Sequence, residues 1–368
     1  MKIAIRVDAS LQIGTGHVMR CLTLAETLQR KGARIIFICR EHPGHLCKHI
    51  EEKGFQLYRF PLSVQKESNN SQIDMANSSS CASWLGVSWK KDADETINVL
   101  LQEEISCLIV DHFGIDASWE RRVKNHAPAN LAVIDGQLDR PHECDFLLDP
   151  NLTCKAAERW KNLVPPHCKL FLGPRFAFLR PEFLEERSRL RRRDGHVQNI
   201  LIAFGGVDKN NATGMALTAL KHVDLSGIVV NVVAGVGNPY MADLERASRF
   251  HAKMNYHAQS FDMAKLMAVA DLCLGAGGTM AWERCYMGLP SIMISIADNQ
   301  IDNCRSLARE GAALYLGRQQ EVQVRKIVGS INFAFTNPQE LRKIGEKCIH
   351  LMGEPASGMH EFCQAILR

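Results

Sequence analysis

Lys2-Ile3-Ala4-Ile5-Arg6-Val7, then Gly14-Thr15-Gly16-His17, then the run Met19–Gln29, then Arg34–Cys39, is the segment from which the architecture can be read. The first run is short and mostly apolar, which suits a buried strand. Met19–Gln29 is amphipathic at helical spacing, and Arg34–Cys39 is again a short apolar run. A strand, a glycine-bearing loop, a helix and another strand are the parts of a parallel sheet covered by helices.

The pattern continues in both directions along the chain. Cys107–Val110, Leu131–Ile134 and Phe146–Leu148 read as further buried strands, with Glu95–Glu103 as another helix. A second series opens near Asn199 with Ile200–Phe204, Val229–Val233, Asp271–Leu274 and Ser291–Ile294. The fold expected is α/β, with two Rossmann-like, doubly wound domains facing a central cleft. In such sheets ligands bind beyond the carboxyl ends of the strands. The 368 residues suit two domains. We expect an N-terminal domain over 1–165, a linker over 166–195 and a C-terminal domain over 196–368. The linker region holds Pro165-Pro166, Pro174, Pro181 and the charge-dense Glu185–Asp194, which reads as a solvated helix face. Residues 63–83 are rich in Ser and Asn and read as a mobile loop.

Composition narrows the function. Apolar residues make up 46% and charged residues 23%, an ordinary globular balance. A net charge of +4 is too mild to argue for nucleic acid and suits an anionic small substrate equally well. Asp8 interrupts the first apolar run too early for a signal peptide. No stretch reaches the ~18 apolar residues that would mark a membrane span, so a cytoplasmic protein is expected. The thirteen cysteines include no C-x-x-C pair and read as buried free thiols. His42, His45, Cys47 and His49 cluster, with His45 and His49 spaced for one helix face, but no H-E-x-x-H accompanies them. No metal and no cofactor are therefore expected.

Three glycine loops carry the chemistry. Gly14-Thr15-Gly16-His17 lies between a strand and a helix, where backbone N–H groups approach anions. A dinucleotide fingerprint would need glycine at Met19 and an acidic residue at Arg40, so that reading fails. Its position alone leaves His17 open as a general base or as a packed helix-end residue. Gly275-Ala276-Gly277-Gly278-Thr279 follows a strand and precedes the helix Met280–Met287, the geometry of a diphosphate cradle. Glu283 falls one turn into that helix, where a carboxylate can accept both ribose hydroxyls. Phe204-Gly205-Gly206-Val207-Asp208 repeats the strand–glycine–helix arrangement. Asp111-His112 and Asp135 end strands, where carboxylates hold substrate hydroxyls, orient a base or order a loop. No Gly-x-Ser-x-Gly elbow is present.

Taken together, Arg6–Ser10, Ile13–His17, Arg20-Cys21, Asp111-His112, Cys144-Asp145, Gly173-Pro174, Leu179–Phe183, Phe204–Gly206, Gly275–Thr279, Trp282–Cys285, Gly288–Pro290 and Asp298–Gln300 form an ordered set. The set resembles the UDP-2,4-diacetamido-2,4,6-trideoxy-β-L-altropyranose hydrolases of pseudaminic acid biosynthesis. These are relatives of the two-Rossmann-domain (GT-B-like) UDP-sugar glycosyltransferases. The resemblance implies that His17 activates water for inverting attack on the anomeric carbon, with Asp8 holding His17 or the sugar. It places Gly14, Gly16, Arg20, Asp111, Phe113, Asn299 and Gln300 around the sugar. It places Gly205, Gly206, Gly277, Gly278, Thr279, Met280 and Glu283 around UDP, with Glu283 on the ribose. The implied partner is a small-molecule UDP-sugar. The alternative is an inverting glycosyltransferase that uses a UDP-amino sugar and an acceptor. Three positions depart from the family pattern: Phe113 and Phe176 stand where tyrosine is usual, and Gly136 where a second aspartate often stands.

Overall fold

A computed structural model describes residues 1–62, 81–235, 237–258 and 262–368. Most of the Ser/Asn-rich stretch expected as a loop over 63–83 lies outside the described residues.

The first unit carries a seven-stranded, all-parallel sheet. Its strands are β1 (Lys2–Val7), β2 (Arg34–Arg40), β3 (Gln56–Phe60), β4 (Cys107–Asp111), β5 (Asn130–Ile134), β6 (Phe146–Asp149) and β7 (Lys169–Leu172), in the order β3-β2-β1-β4-β5-β6-β7. Alternation along β1 explains why both faces are buried. Ile3, Ile5 and Val7 enter one core with Leu24, Leu28 and Phe37, whereas Ala4 enters the other with Ile36, Ile38 and Trp119. Each fully buried aliphatic or aromatic side chain contributes roughly 1.5–3 kcal/mol, so the sheet is fixed from both sides. The strand order reverses between β1 and β4, the switch point at which doubly wound sheets open a crevice.

The second unit has a six-stranded parallel sheet. Its strands are β8 (Asn199–Ala203), β9 (Val229–Ala234), β10 (Met254–Ala258), β11 (Leu272–Gly275), β12 (Ser291–Ser295) and β13 (Leu314–Arg318), in the order β10-β9-β8-β11-β12-β13. Its switch point lies between β8 and β11. Leu201, Ala203 and Cys273 face one core with Met267, Met287 and Phe183.

The boundaries differ from those expected. The first unit comprises Met1–Asn151, Lys155–Phe178 and Pro355–Arg368, and the second Leu152–Cys154 and Leu179–Glu354. Two elements explain the difference. Lys169–Leu172, inside the expected linker, is a strand paired with β6, its four residues concealed between Pro165-Pro166 and Pro174. The helix Pro355–Ile366, expected in the second domain, drives Phe362 edge-on against Phe171, ring centroids 5.0 Å apart. Its Met359, Cys363 and Ile366 join the same core.

Two expected helices also shift. Helix Gly16–Arg30 begins before Met19, and Trp89–Gln102 begins well before Glu95, capped by the Ser88 hydroxyl. All thirteen cysteines are free, and all but Cys154 and Cys168 are buried. Among the described residues no helix is long and apolar enough to cross a membrane.

Candidate active site

In the first unit β1, β4, β5 and β6 each lead into an aspartate: Asp8, Asp111, Asp135 and Asp149. Each has a different environment. Asp111 accepts two hydrogen bonds from Arg20, Nε to Oδ2 and Nη2 to Oδ1, both at 2.5 Å. The same Oδ1 lies 2.5 Å from His17 Nδ1. Burial would raise the Asp111 carboxyl, but the Arg20 guanidinium and His17 overcome it and hold it well below the usual carboxylate range. An ionised carboxylate only accepts, so Nδ1 donates to Asp111 and Nε2 is the nitrogen left open. Phe113 packs its ring against the imidazole at 83°, centroids 4.5 Å apart, and leaves His17 one orientation. The buried Phe113 is thus a wall for His17.

The loop before His17 is built around Ser10. Its hydroxyl accepts from the Gln12 and Ile13 amides at 3.1 and 2.8 Å, and its carbonyl accepts from the Gly14 amide at 2.8 Å. Gly14 sits at φ +83°, a conformation that disfavours a side chain. Gly16 opens the helix, and the first amides of a helix have no partner within it.

Asp8 corrects one expectation. It is fully buried and accepts from Arg6 Nη1 and Nη2 at 2.6 and 2.9 Å and from the Arg40 amide at 2.7 Å. Its other neighbours are His112 Nε2 at 3.3 Å and His42 Nε2 at 3.5 Å. Burial opposes its charge, yet Arg6 holds the carboxyl well below its ordinary range. Asp8 therefore anchors β1 and β2, and the carboxylate that orients His17 is Asp111. Arg40, which stands where a dinucleotide fold would have an acid, completes this network through Asp92 and Glu95, at 2.7 and 2.6 Å. His112 turns Nδ1 to the Gly114 amide at 3.0 Å, and His45 Nδ1 accepts from the Cys47 amide at 3.3 Å. Among the described residues no group of three or more His, Cys, Asp or Glu is arranged to hold a metal ion.

Asp135 pairs with Arg140 and with His142 Nε2 at 3.2 Å, and Glu120 meets the other nitrogen of His142 at 2.7 Å. Among the described residues no cation pairs with Asp149. It accepts from Trp160 Nε1 and the Asn151 amide at 3.0 and 2.9 Å, and burial pushes its carboxyl up to about 7. The pattern that disclosed Asp111, a carboxylate closing an apolar run, also identifies Asp149, although the sequence reading passed over it. A Cβ at Gly136 would lie 1.9 Å from Asn151 Nδ2 and 2.7 Å from Asp149 Oδ1, so this backbone leaves no room there for the family's second aspartate. Phe176 is core, edge-on to Phe171 at 5.4 Å.

In the second unit the two expected glycine loops follow β8 and β11, on either side of the switch point. Gly277 donates its amide to Gln300 Oε1 at 3.2 Å, and its carbonyl accepts from Asn303 Nδ2 at 3.1 Å. A Cβ there would meet Cys304 Sγ at 2.2 Å, whereas one at Gly278 would meet only Gln300 Nε2 at 3.5 Å. Gly277 is required by packing, and Gly278 leaves the approach to the loop open. Gln300, expected on the sugar, uses its Oε1 to join the Gly277 and Ile296 amides. Asn299 beside it is exposed. Gly205 adopts φ +112° with nothing near its missing Cβ, while Gly206 backs onto Gly235.

Thr279 precedes the helix Met280–Tyr286, in which Glu283 is buried. Its Oε1 accepts from Arg180 Nε at 2.9 Å, while Oε2 has no partner among the described residues. Burial raises the Glu283 carboxyl against the pull of Arg180. Arg180 and Arg284 lay inside sequence motifs but were given no role. Arg284 donates Nη2 to the Ala276 carbonyl at 2.6 Å and so fixes the loop from beneath.

Known proteins fit this description. Residues 199–350 match the glycosyltransferase family 28 C-terminal domain. The chain is 24% identical over 311 residues to the UDP-2,4-diacetamido-2,4,6-trideoxy-beta-L-altropyranose hydrolase of Campylobacter jejuni, a match covering 84% of this chain and 97% of that protein. The crystal structure of Acinetobacter baumannii MurG superposes with a TM-score of 0.68 at 14% identity, covering 100% and 99% of the two chains. Arabidopsis thaliana UGT89C1 complexed with UDP gives 0.67 at 10% identity, with both chains fully covered. The protein thus has an α/β, GT-B-like fold built from two Rossmann-like units, and along most of its length it is similar to a UDP-sugar hydrolase.

Proposed function

We propose that the chain hydrolyses a UDP-linked amino sugar, of the UDP-2,4-diacetamido-2,4,6-trideoxy-β-L-altrose type, to free sugar and UDP. The observation that carries this reading is the His17–Asp111 pair. With Nδ1 committed to Asp111 at 2.5 Å, His17 has a single free nitrogen from which to act on water. Nε2 takes the proton as the water oxygen attacks the anomeric carbon. The C1–O bond breaks with inversion, its electron pair leaves on the diphosphate, and the proton on His17 passes to solvent. Backbone amides at Gly278 and Thr279 would bind the diphosphate, on a loop held by the Gly277 amide's bond to Gln300, with Gly205 leaving space for the nucleotide. The partnerless Oε2 of Glu283 would accept a ribose hydroxyl.

A second reading, an inverting glycosyltransferase, is favoured by the family 28 match over 199–350. Its chemistry differs only in the nucleophile. The test is UDP release from the diacetamido-trideoxy-altrose nucleotide without an acceptor, followed by NMR beside UDP-N-acetylglucosamine. Release of free sugar from the first compound alone is expected. Tight UDP binding with no release from either would overturn hydrolysis and favour transfer.

A further inference from the structure

The charge-dense segment 185–194 is unused by the chemistry above. In the second unit it forms one wall of a cavity of about 380 Å³ whose other walls include Asp271, Gly288 and Pro290, together with Leu341, Arg342 and Ile349. Asp271 immediately precedes β11 and Pro290 immediately precedes β12, so the cavity lies at the amino ends of these strands. The glycine loop of the nucleotide site begins at the carboxyl end of β11. Four strand residues separate the two ends, about 13 Å at the usual rise.

The walls are strongly cationic. Arg187, Arg191, Arg192, Arg193 and Arg342 face the cavity, against Asp271 and Glu346. Three of the five are committed. Arg191 pairs with Asp271, and Arg342 donates to Glu346 at 3.0 Å. Arg193 spends its guanidinium on carbonyls, including Met287 at 2.5 Å and Ala270 at 2.8 Å. The remaining two have no carboxylate partner among the described residues: Arg187 lies 5.6 Å from the Tyr286 ring, and Arg192 is exposed. Leu190, Pro290, Leu341 and Ile349 supply an apolar floor. Two guanidinium forks without a carboxylate partner among the described residues, lining one cavity with these apolar side chains, match a ligand with a doubly charged oxyanion at one end and an apolar body at the other. The volume is that of a small-molecule site.

We propose that this cavity is a second anion site, separate from the nucleotide site, that takes a small organic phosphate with a compact apolar body. Phenyl phosphate is the probe, with inorganic phosphate and phenol as its two halves, and binding is read by isothermal titration of the full chain. The expected result is saturable 1:1 binding of phenyl phosphate, tighter than either half and unaffected by saturating UDP. Arg187→Gln with Arg192→Gln should weaken phenyl phosphate by at least about tenfold, because two charge-assisted contacts are lost, and leave UDP affinity unchanged. Neither residue belongs to the nucleotide site. Displacement of the probe by UDP, equal binding by the double variant, or no saturable binding would each overturn the proposal. These outcomes are independent of whether the chain hydrolyses or transfers its sugar.

Discussion

At the scale of single residues, the chemistry proposed for this chain depends on which nitrogen of His17 is free. Asp111 answers that by accepting from Nδ1, and Arg20 fixes Asp111 with a two-pronged contact. His17→Ala should abolish turnover and leave UDP affinity nearly unchanged, measured by titration with UDP. Asp111→Asn keeps the shape but offers an amide to the imidazole, which favours the wrong tautomer. By analogy with acid–base pairs of this kind, kcat should fall roughly 10²–10⁴-fold with little change in KM. Retained kcat in either variant would remove His17 from the base role. The sequence made His17 and Asp111 visible separately, as residues closing a loop and a strand. It did not join them, because they stand 94 positions apart and only the pairing of β1 with β4 brings their loops together. Asp8, which the family resemblance put on His17 or the sugar, is directed by its strand end towards Arg6 and Arg40.

At the scale of elements, the glycine loops were the most legible feature, since a strand–glycine–helix pattern is local. What the pattern could not tell was why each glycine is needed. Gly277 has no room for a Cβ, which would sit 2.2 Å from Cys304 Sγ, while Gly278 has room to spare. Gly277→Ala should therefore push the loop outward and weaken UDP. Adding Cys304→Ala should restore much of the lost affinity, because it removes the obstructing sulfur, and UDP titration of both variants checks this. Gly277→Ala binding UDP normally would show that the loop is no phosphate cradle. Strands were read best where a mostly apolar run marks them, as in β1, β4 and β8. β3 and β10 were missed because they are edge strands carrying Arg59 and His257, with polar residues turned to solvent.

At the scale of the whole molecule, buried charge makes stability depend on pH. His142 lies between Glu120 and Asp135. Burial opposes its charge, but the two carboxylates win and push it up to about 9. Its folded pKa thus exceeds the ordinary value near 6.5, so its contribution is complete below that pH and is lost as pH rises towards 9. The full linkage is worth about 3 kcal/mol. Denaturant unfolding of the protein and of His142→Gln should therefore differ most near pH 6 and least near pH 9.5. A difference independent of pH would mean that the imidazole is not charged in the folded state.

The docking of helix Pro355–Ile366 onto β7 has a consequence for how the protein is made. The first unit's core includes Phe362, some 180 residues downstream of Phe178, its last core residue before the chain enters the second unit. During synthesis that core stays unfinished while the whole second unit emerges, at about 5–20 residues per second. For those seconds Phe171 has the Phe176 ring beside it but lacks that of Phe362. The nascent first unit therefore presents a sticky apolar patch until the final helix arrives, which makes it a natural client for a chaperone at the ribosome exit.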